Sequence, residues 1–164
     1  MEEQLPIVVG NDGSDFSHLA LHRALWLGRQ VKMPVHVIRA WSISTAPRPS
    51  TWSPGYVPPA EDFEAAVRQR LERDIADVLA DYPDVEVVLE TPHGPAGREL
   101  IKASKNARIV VVGTRGAGGF KGLLMGSVSN QVVEHAECDV LVVRRGVPEI
   151  SPGRRIQLDR FLDQ

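Results

Sequence analysis

The residues best suited to chemistry lie in one glycine-rich stretch, Val110–Val128. An apolar run ends there in Gly113-Thr-Arg-Gly116, nine residues follow, and Gly126-Ser127 comes next. Glycines let backbone N–H groups approach an anion closely, and a helix that starts after them adds unpaired N–H donors and a partial positive charge. Arg115 and Lys121 lie inside the loop as candidate counter-charges. The stretch therefore predicts a phosphate-binding loop, and nucleotide binding is the leading hypothesis.

The glycine-rich loop follows the fourth of five apolar runs that alternate with helical segments along the chain. The predicted strands are Leu5–Gly10, Pro34–Ala40, Val85–Leu89, Arg108–Gly113 and Asp139–Arg144. The predicted helices are Phe16–Val31, Glu61–Asp81, Ala96–Ser104 and a segment from Ser127 or Ser129 to Ala136. The inner stripe of the second helix is assigned to Ala65, Leu71, Ile75, Val78 and Leu79. This alternation predicts a single-domain α/β fold, with an open five-stranded parallel sheet and helices on both faces.

The sheet brings a second polar loop to the glycine-rich loop if the strand order is 3-2-1-4-5. Ligands of open parallel sheets bind where the strand order reverses, outside the carboxyl ends of the strands. The turn Asn11-Asp12-Gly13 then faces the glycine-rich loop across one crevice. Asp12 is the carboxylate that this placement brings to the phosphates, and a hard cation that accompanies them prefers such an oxygen. An aspartate in a turn also commonly accepts hydrogen bonds from turn amides, so both roles stay open.

Two common nucleotide motifs are absent from the sequence. No Gly-Lys-Ser/Thr follows a four-residue gap after a glycine, so the loop is not a Walker A motif. The first strand ends in Gly10-Asn-Asp-Gly13, which is not a dinucleotide fingerprint. The pattern Gly-x₂-Gly-x₉-Gly-Ser that begins at Gly113 instead resembles the nucleotide-binding branch of the universal stress proteins. The opening segment from Ile7 to Ser14 is similar to the same family, and the resemblance covers residues 5–144.

The resemblance implies an ATP-binding domain of the Rossmann-like, adenine nucleotide α hydrolase-like class that usually forms dimers. It also implies that Gly10 and Asp12 border the nucleotide or its metal, that Ala40 borders the adenine, and that the loop glycines with Ser127 hold ribose and phosphates. Asn11 stands where a small apolar residue is common. The predicted ligand is ATP or another adenine nucleotide, with or without Mg²⁺. Together with the argument from the residues, the predicted nucleotide-binding set is Gly10, Asp12, Ala40, Gly113, Arg115, Gly116, Gly118, Gly126, Ser127, Val128 and Ser129.

Several of these residues also have a purely structural interpretation. Gly118 and the glycines that follow it could supply loop flexibility alone. Ser127 and Ser129 are good helix caps, a role that is compatible with phosphate contact. Arg115 and Lys121 are as well suited to a solvated loop as to a phosphate.

Other reactive side chains do not form a recognisable site in the sequence. His18 and His22 have the i, i+4 spacing of zinc ligands, but no third ligand is visible, so an exposed or capped helix face is favoured. Cys138 is interpreted as a small buried or half-buried filler. No Ser-His-Asp or Cys-His spacing is found, and no catalytic residue is predicted.

The composition narrows the class of protein. A chain of 164 residues with 43% hydrophobic residues is expected to form one domain. Its net charge of −2 and its scattered basic residues favour neither nucleic acid nor membrane as a partner. One cysteine, an acidic start and apolar runs shorter than about 20 residues lead us to expect a cytoplasmic protein without signal peptide or membrane helix.

Three further segments carry expectations about organisation. Residues 4–145 are predicted to form the nucleotide-binding domain, and the tail 146–164 to be a short helix or disordered. The Pro-rich loop 42–60 could be a lid, a partner contact anchored by Trp52 or Tyr56, or a plain surface loop. The apolar strand Val140–Val143 is expected at the sheet edge, where a two-fold homodimer would cover it.

The sequence is compatible with three functions. The leading one is a nucleotide-dependent regulatory protein of the stress response. A slow ATPase is the second, and it needs a group that positions water at the terminal phosphate, for which Asp12 is the only candidate. A dimeric interaction module that does not need nucleotide is the third. The sequence favours a non-enzymatic role with at most weak ATP hydrolysis.

Overall fold

The computed structural model describes residues 4–115 and 125–145, and its helices and strands follow the predicted alternation. Each predicted element is present with ends within two residues of the prediction. The tail 146–164 lies outside the described residues. The elements are β1 (Ile7–Gly10), α1 (Asp15–Val31), β2 (Val35–Ile38), α2 (Ala60–Ala80), β3 (Val87–Glu90), α3 (Ala96–Ser104), β4 (Ile109–Gly113), α4 (Ser127–His135) and β5 (Asp139–Val143).

The five strands form one parallel sheet in the order β3-β2-β1-β4-β5, which confirms the predicted fold class and strand order. In the centre, Val9 of β1 pairs with Val37 of β2 on one side and with Val111 of β4 on the other. The order reverses between β1 and β4, because the chain first adds strands on one side of β1 and then returns to the other. The carboxyl ends of these two strands therefore lie side by side, where a ligand crevice is expected.

Apolar side chains are buried on both faces of the sheet, because both faces are covered by helices. On one face α1 and α2 pack against the strands, with Leu21 and Leu71 fully buried among the strand valines. On the other face α3 and α4 contribute Leu100 and Val132. Half-buried Cys138 packs at the edge of this second cluster, and burial raises the pKa of its thiol, as suits a structural cysteine. Within residues 4–115 and 125–145, no helix combines the length and apolar character that a transmembrane span requires.

The inner stripe of α2 differs from the predicted one. Ala65 is exposed and Leu79 is only half-buried. Ala65 lies two residues from Phe63, which is about 200° around a helix and places it on the opposite face. The buried residues of α2 are Phe63, Val67, Leu71, Ile75 and Val78.

Tyr82, just after α2, carries a polar group that its surroundings do not satisfy. Its side chain is buried under the guanidinium of Arg29, 4.5 Å from the ring centroid, and its hydroxyl has no hydrogen-bond partner within the described residues. Burial raises the pKa of this phenol. Because an unsatisfied buried hydroxyl costs about 1–3 kcal/mol, we expect Tyr82→Phe to raise the free energy of unfolding by about 1 kcal/mol.

Urea denaturation of both proteins measures this difference. Tyr82→Leu is the matched control, since it also removes the hydroxyl but loses the ring beneath Arg29. We expect this control to be less stable than wild type. A Tyr82→Phe variant that is less stable than wild type would show that the hydroxyl does have a partner.

Candidate functional site

A cleft of about 1330 Å³ lies at the carboxyl ends of the strands. It is built by the turn after β1, the loop after β2, one face of α2, the segment that joins β3 to α3, and the residues on either side of the glycine-rich loop. Its lining residues are Asp12, Gly13, Arg39, Ala40, Trp41, Ser42, Thr45, Pro47, Val67, Arg70, Asp74, His93, Gly94, Pro95, Ala96, Arg115, Met125, Gly126, Ser127 and Val128. The crevice predicted at the reversal of strand order is therefore present.

The cleft collects many of the residues that were predicted to bind nucleotide. Asp12, Ala40, Arg115 and the segment Gly126–Val128 all line it. The other three predicted residues that the structure describes, Gly10, Gly113 and Ser129, are not among its lining residues. Gly116, Gly118 and Lys121 lie outside the described residues. Contact between any of these residues and a nucleotide stays a prediction.

The turn after β1 holds Asp12 at the rim of the cleft. Gly13 has a φ of +83°, a conformation that glycine adopts without strain. Its N–H donates to Oδ1 of Asn11 at 3.2 Å, and the N–H of Ser14 donates to Oδ1 of Asp12 at 2.9 Å. Ser14 then caps α1 by accepting the N–H of Ser17 at 3.2 Å. Asp12 thus has the structural role considered for it, and it has this role while lining the cleft.

The start of α4 presents its backbone to the same cleft. Gly126 is the N-cap residue, in an extended conformation with φ −73° and ψ 163°, and it makes no side-chain capping bond. The predicted capping role of Ser127 or Ser129 is therefore wrong, because Ser127 is already the first helical residue. The first N–H groups of a helix have no partner within the helix and attract anions. The Gly126 N–H donates to the carbonyl oxygen of Thr114 at 2.6 Å, so within the described residues the N–H groups of Ser127 and Val128 are the ones that can meet an anion in the cleft.

Ser129 and Gly113 join α4 and β4 behind the cleft. The Ser129 side chain is buried, and its hydroxyl donates to the carbonyl oxygen of Gly113 at 2.5 Å. A Cβ atom on Gly113 would lie 2.8 Å from the carbonyl oxygen of Phe16 in α1. The hydroxyl proton of Ser129 is thus used within the fold, and the glycine at position 113 is required by the close approach of α1.

A network of ion pairs centred on buried Arg39 and half-buried Asp74 forms the wall of the cleft beside α2, and it was not predicted from the sequence. Arg39 donates to Oδ2 of Asp74 at 2.7 Å, and Arg70 donates to Oδ1 of the same carboxylate at 3.1 Å. Burial opposes the ionisation of Asp74, but hydrogen bonds and charge from the two arginines outweigh it and lower the pKa of its carboxyl. The available signal was Arg39 itself, a charged residue directly after a mainly apolar strand.

An aromatic part of the cleft lies at the base of the Pro-rich loop. Trp41 is buried, and its indole N–H donates to the carbonyl oxygen of Thr91 at 2.9 Å. The ring of exposed His93 lies against it, with centroids 4.7 Å apart. From the loop, Thr45 and Pro47 reach the cleft, whereas Trp52 and Tyr56 are exposed and do not line it. A lid or partner role for the loop stays a prediction.

The histidine pair on α1 makes contacts other than metal ligation. Nε2 of His18 lies 2.9 Å from the backbone carbonyl oxygen of Asp74, to which a protonated Nε2 donates. The ring of His22 lies edge-on to Tyr82, with centroids 6.2 Å apart. No group of three or more His, Cys, Asp or Glu side chains able to hold a metal ion occurs in the part of the chain that the structure describes.

The ion pairs of Asp74 with Arg39 and Arg70 predict how the stability of the fold changes in acid. Because the folded protein lowers the pKa of Asp74 below its ordinary value of 3.8, the ionised carboxylate stabilises the fold above that pH. This contribution is lost as the pH falls through the lower, folded-state pKa. We expect Asp74→Asn to be less stable than wild type at pH 7 and at pH 5 by the same amount. The difference should shrink below about pH 4.

Urea denaturation of both proteins at a series of pH values measures this difference. Asp84→Asn is the control, since Arg29 also lowers the pKa of Asp84, but this carboxylate is exposed and pairs with the last turn of α1, outside the cleft. Its effect should be smaller, because exposed ion pairs contribute little to stability. A gap between wild type and Asp74→Asn that does not change with pH would contradict the ion-pair interpretation.

Comparison with known proteins places the chain in a family. The model of the universal stress protein family matches residues 5–144. Universal stress protein Rv2623 from Mycobacterium tuberculosis is 33% identical over 145 residues, which cover 88% of this chain and 47% of the relative. The chain thus spans about half the length of the curated relatives that it matches.

Two solved structures share the fold. A universal stress protein in complex with cAMP has a TM-score of 0.62 at 22% identity, over 84% of this chain and 95% of the other. The universal stress protein from Archaeoglobus fulgidus in complex with dAMP has a TM-score of 0.60 at 19% identity, over 87% and 98%. The resemblance first seen in the glycine-rich loop is confirmed, and this chain belongs to the universal stress protein family.

Proposed function

We propose that this chain binds an adenine nucleotide in the cleft between β1 and β4, that ATP is the ligand, and that occupancy regulates its conformation or its partners in a stress response. The observation that carries the proposal is the start of α4. A helix N-terminus without a side-chain cap faces the Asp12 turn across a cleft large enough for a nucleotide. The two related structures with cAMP and dAMP support an adenine nucleotide as the class of ligand.

Each part of the cleft has a role in this proposal. The backbone N–H groups of Ser127 and Val128 hold phosphate oxygens, because both residues lie in the first turn of α4 and line the cleft, whereas the Gly126 N–H already donates to the carbonyl oxygen of Thr114. Arg115, half-buried beside them, supplies a counter-charge. Ala40, at the far side of the cleft, borders the base. Gly116 and Gly118, which lie outside the described residues, keep their predicted role in holding phosphates.

The residues present also fit a Mg²⁺ ion bound with the nucleotide. Two carboxylates, Asp12 and Asp74, line the cleft within the described residues. Asp74 accepts from two arginines, so Asp12 is the better oxygen donor for a cation. A single carboxylate suits Mg²⁺, which commonly binds through one or two carboxylates plus phosphates and keeps several waters. The ion would screen the phosphate charge at the Asp12 turn.

Assembly is the second part of the proposal. The strand β5 lies at one edge of the sheet, and its Val140–Val142 side chains are half-buried. An apolar edge strand with unpaired backbone groups favours pairing with another chain, so we propose a two-fold homodimer through Val140–Val143. Introduction of a lysine at Val142 is expected to convert a dimer into a monomer in native mass spectrometry.

Equilibrium binding tests the nucleotide proposal directly. Titration calorimetry with ATP, AMP, cAMP and GTP, each with and without Mg²⁺, is expected to show saturable binding of the adenine nucleotides and weaker binding of GTP. Native mass spectrometry of the purified protein would show a retained nucleotide and the subunit number together. No saturation by any adenine nucleotide up to about 1 mM, a binding free energy near −4 kcal/mol, would contradict the proposal.

A further inference from the structure

A buried arginine at the end of β2 connects three parts of the cleft. Nε of Arg39 donates to the backbone carbonyl of Asn11 at 3.2 Å, Nη2 donates to Oδ1 of Asn11, and Nη1 donates to Asp74 at 2.7 Å. The guanidinium is a rigid planar fork, so bonds in several directions fix the positions of their partners relative to one another. Arg39 therefore holds the turn after β1, the end of β2 and helix α2 in one arrangement.

Asn11 transmits this arrangement to the turn. Its Oδ1 atom accepts from Arg39 and also from the N–H of Gly13, so the same oxygen that meets the guanidinium shapes the backbone around Asp12. The amide Nδ2 is buried with no hydrogen-bond partner within the described residues. A buried polar side chain with an unsatisfied donor is unfavourable by itself, so its carbonyl oxygen is the group that the fold uses. A small apolar residue at this position could not make either bond.

Helix α2 supports the turn from the other side. Asp74 accepts from Arg39 and Arg70, and a Cβ atom on Gly13 would lie 3.3 Å from Oδ2 of Asp74. The carboxylate is therefore packed directly against the turn that carries Asp12. Arg39, Arg70 and Asp74 also line the cleft, so the network and the nucleotide site share one wall.

We propose that Arg39 is a positioning residue for nucleotide binding, which acts through Asn11 to hold Asp12 in place opposite the start of α4. The inference rests on the proposed nucleotide site and adds a residue that is not predicted to touch the ligand. Asp74 keeps the guanidinium oriented from α2. Without Arg39, the turn is expected to sample other conformations, and Asp12 is then presented to the nucleotide and its cation only part of the time.

The test compares Arg39→Met with Arg29→Met. Arg29 also pairs with an aspartate, Asp84, and donates to the backbone of Asp81, but it does not line the cleft. ATP affinity in the presence of Mg²⁺ is measured for both variants well below their melting temperatures. We expect Arg39→Met to weaken binding by about 10-fold, the size of one lost charged hydrogen bond, and Arg29→Met to leave it unchanged.

A double-mutant cycle separates positioning from general stability. In an Asp12→Asn background, Arg39→Met is expected to change ATP affinity by less than about 2-fold, because the group that it positions is already gone. Equal effects of Arg39→Met in the two backgrounds would overturn the inference, as would an equal loss in Arg29→Met. A wild-type protein that binds no nucleotide would instead overturn the proposed function, and the inference with it.

Amide hydrogen exchange of the unliganded protein is a second readout that does not depend on nucleotide. The Gly13 N–H should exchange at least about 10-fold faster in Arg39→Met than in wild type or Arg29→Met, since opening of the turn breaks its hydrogen bond to Oδ1 of Asn11. Unchanged exchange at Gly13 would overturn the inference. If Arg39→Met does not fold, Asn11→Ala is measured in its place. It removes the Oδ1 atom that accepts from Arg39 and from Gly13, and it is expected to give the same two results.

Discussion

Replacement of Gly126 with aspartate is expected to abolish nucleotide binding without destabilising the protein. Aspartate is among the best N-cap residues, and the φ of −73° at Gly126 is open to any amino acid. A negative charge near the first turn of a helix is itself favourable for the helix. The same charge would occupy the place proposed for the phosphates. Juxtaposed like charges cost several kcal/mol, so we expect at least about a 100-fold loss of ATP affinity.

Gly126→Asn is the matched control, because asparagine has the same shape and capping ability without the charge. Its affinity for ATP should fall far less than that of Gly126→Asp, and both melting temperatures should equal or exceed that of the wild type. Calorimetric titration and thermal unfolding monitored by circular dichroism measure these quantities. Equal affinities in the two variants would show that the phosphates do not lie at the start of α4.

Gly113→Ala is expected to destabilise the protein by about 2 kcal/mol, although alanine is the smallest possible change. The added Cβ would lie 2.8 Å from both the Cβ and the carbonyl oxygen of Phe16, and 2.9 Å from its carbonyl carbon. Two of these atoms belong to the backbone of α1, so the clash cannot be relieved by a side-chain rotation. For a domain of this size, the loss corresponds to a fall in melting temperature of roughly 4–8 °C.

Gly10→Ala is the useful comparison for this result. A Cβ at Gly10 would meet the Cδ1 atom of Leu100 at 2.9 Å, and a leucine side chain can move. We expect a smaller loss of stability there than at Gly113. Because Gly113 does not line the cleft, folded Gly113→Ala protein should still bind ATP. A stable Gly113→Ala variant that fails to bind would assign Gly113 to the ligand and not to the packing of α1.

The regular elements could be predicted because their signals are local. Alternating blocks of β-branched residues and helical periodicity mark the strands and helices within short windows. The strand order then follows from the rules for parallel sheets, which allow few arrangements. The helix α2 shows where such reasoning fails, because Ala65 and Phe63 cannot be placed on the correct faces until the phase of the helix is known.

The glycine-rich motif also revealed the family and the position of the cleft, since a glycine-rich loop is a continuous piece of chain. Other parts of the cleft could not be found in this way. Arg39 meets Asn11 across 28 residues of sequence and Asp74 across 35, and Trp41 meets Thr91 across 50. No short pattern encodes such pairs, because each depends on the crossing of separate elements in the folded state.

The sequence by itself therefore determined the fold class, the strand order and the family, which depend on near neighbours or on general rules of chain topology, and it predicted an anion-binding loop. Only the tertiary structure decided which polar residues face one another. It assigned the cap of α4 to Gly126, gave Gly113 a packing role against Phe16, and joined Arg39 to the Asp12 turn. The physical reason is that burial and ion pairing act between side chains that are close in space, whatever their separation along the chain.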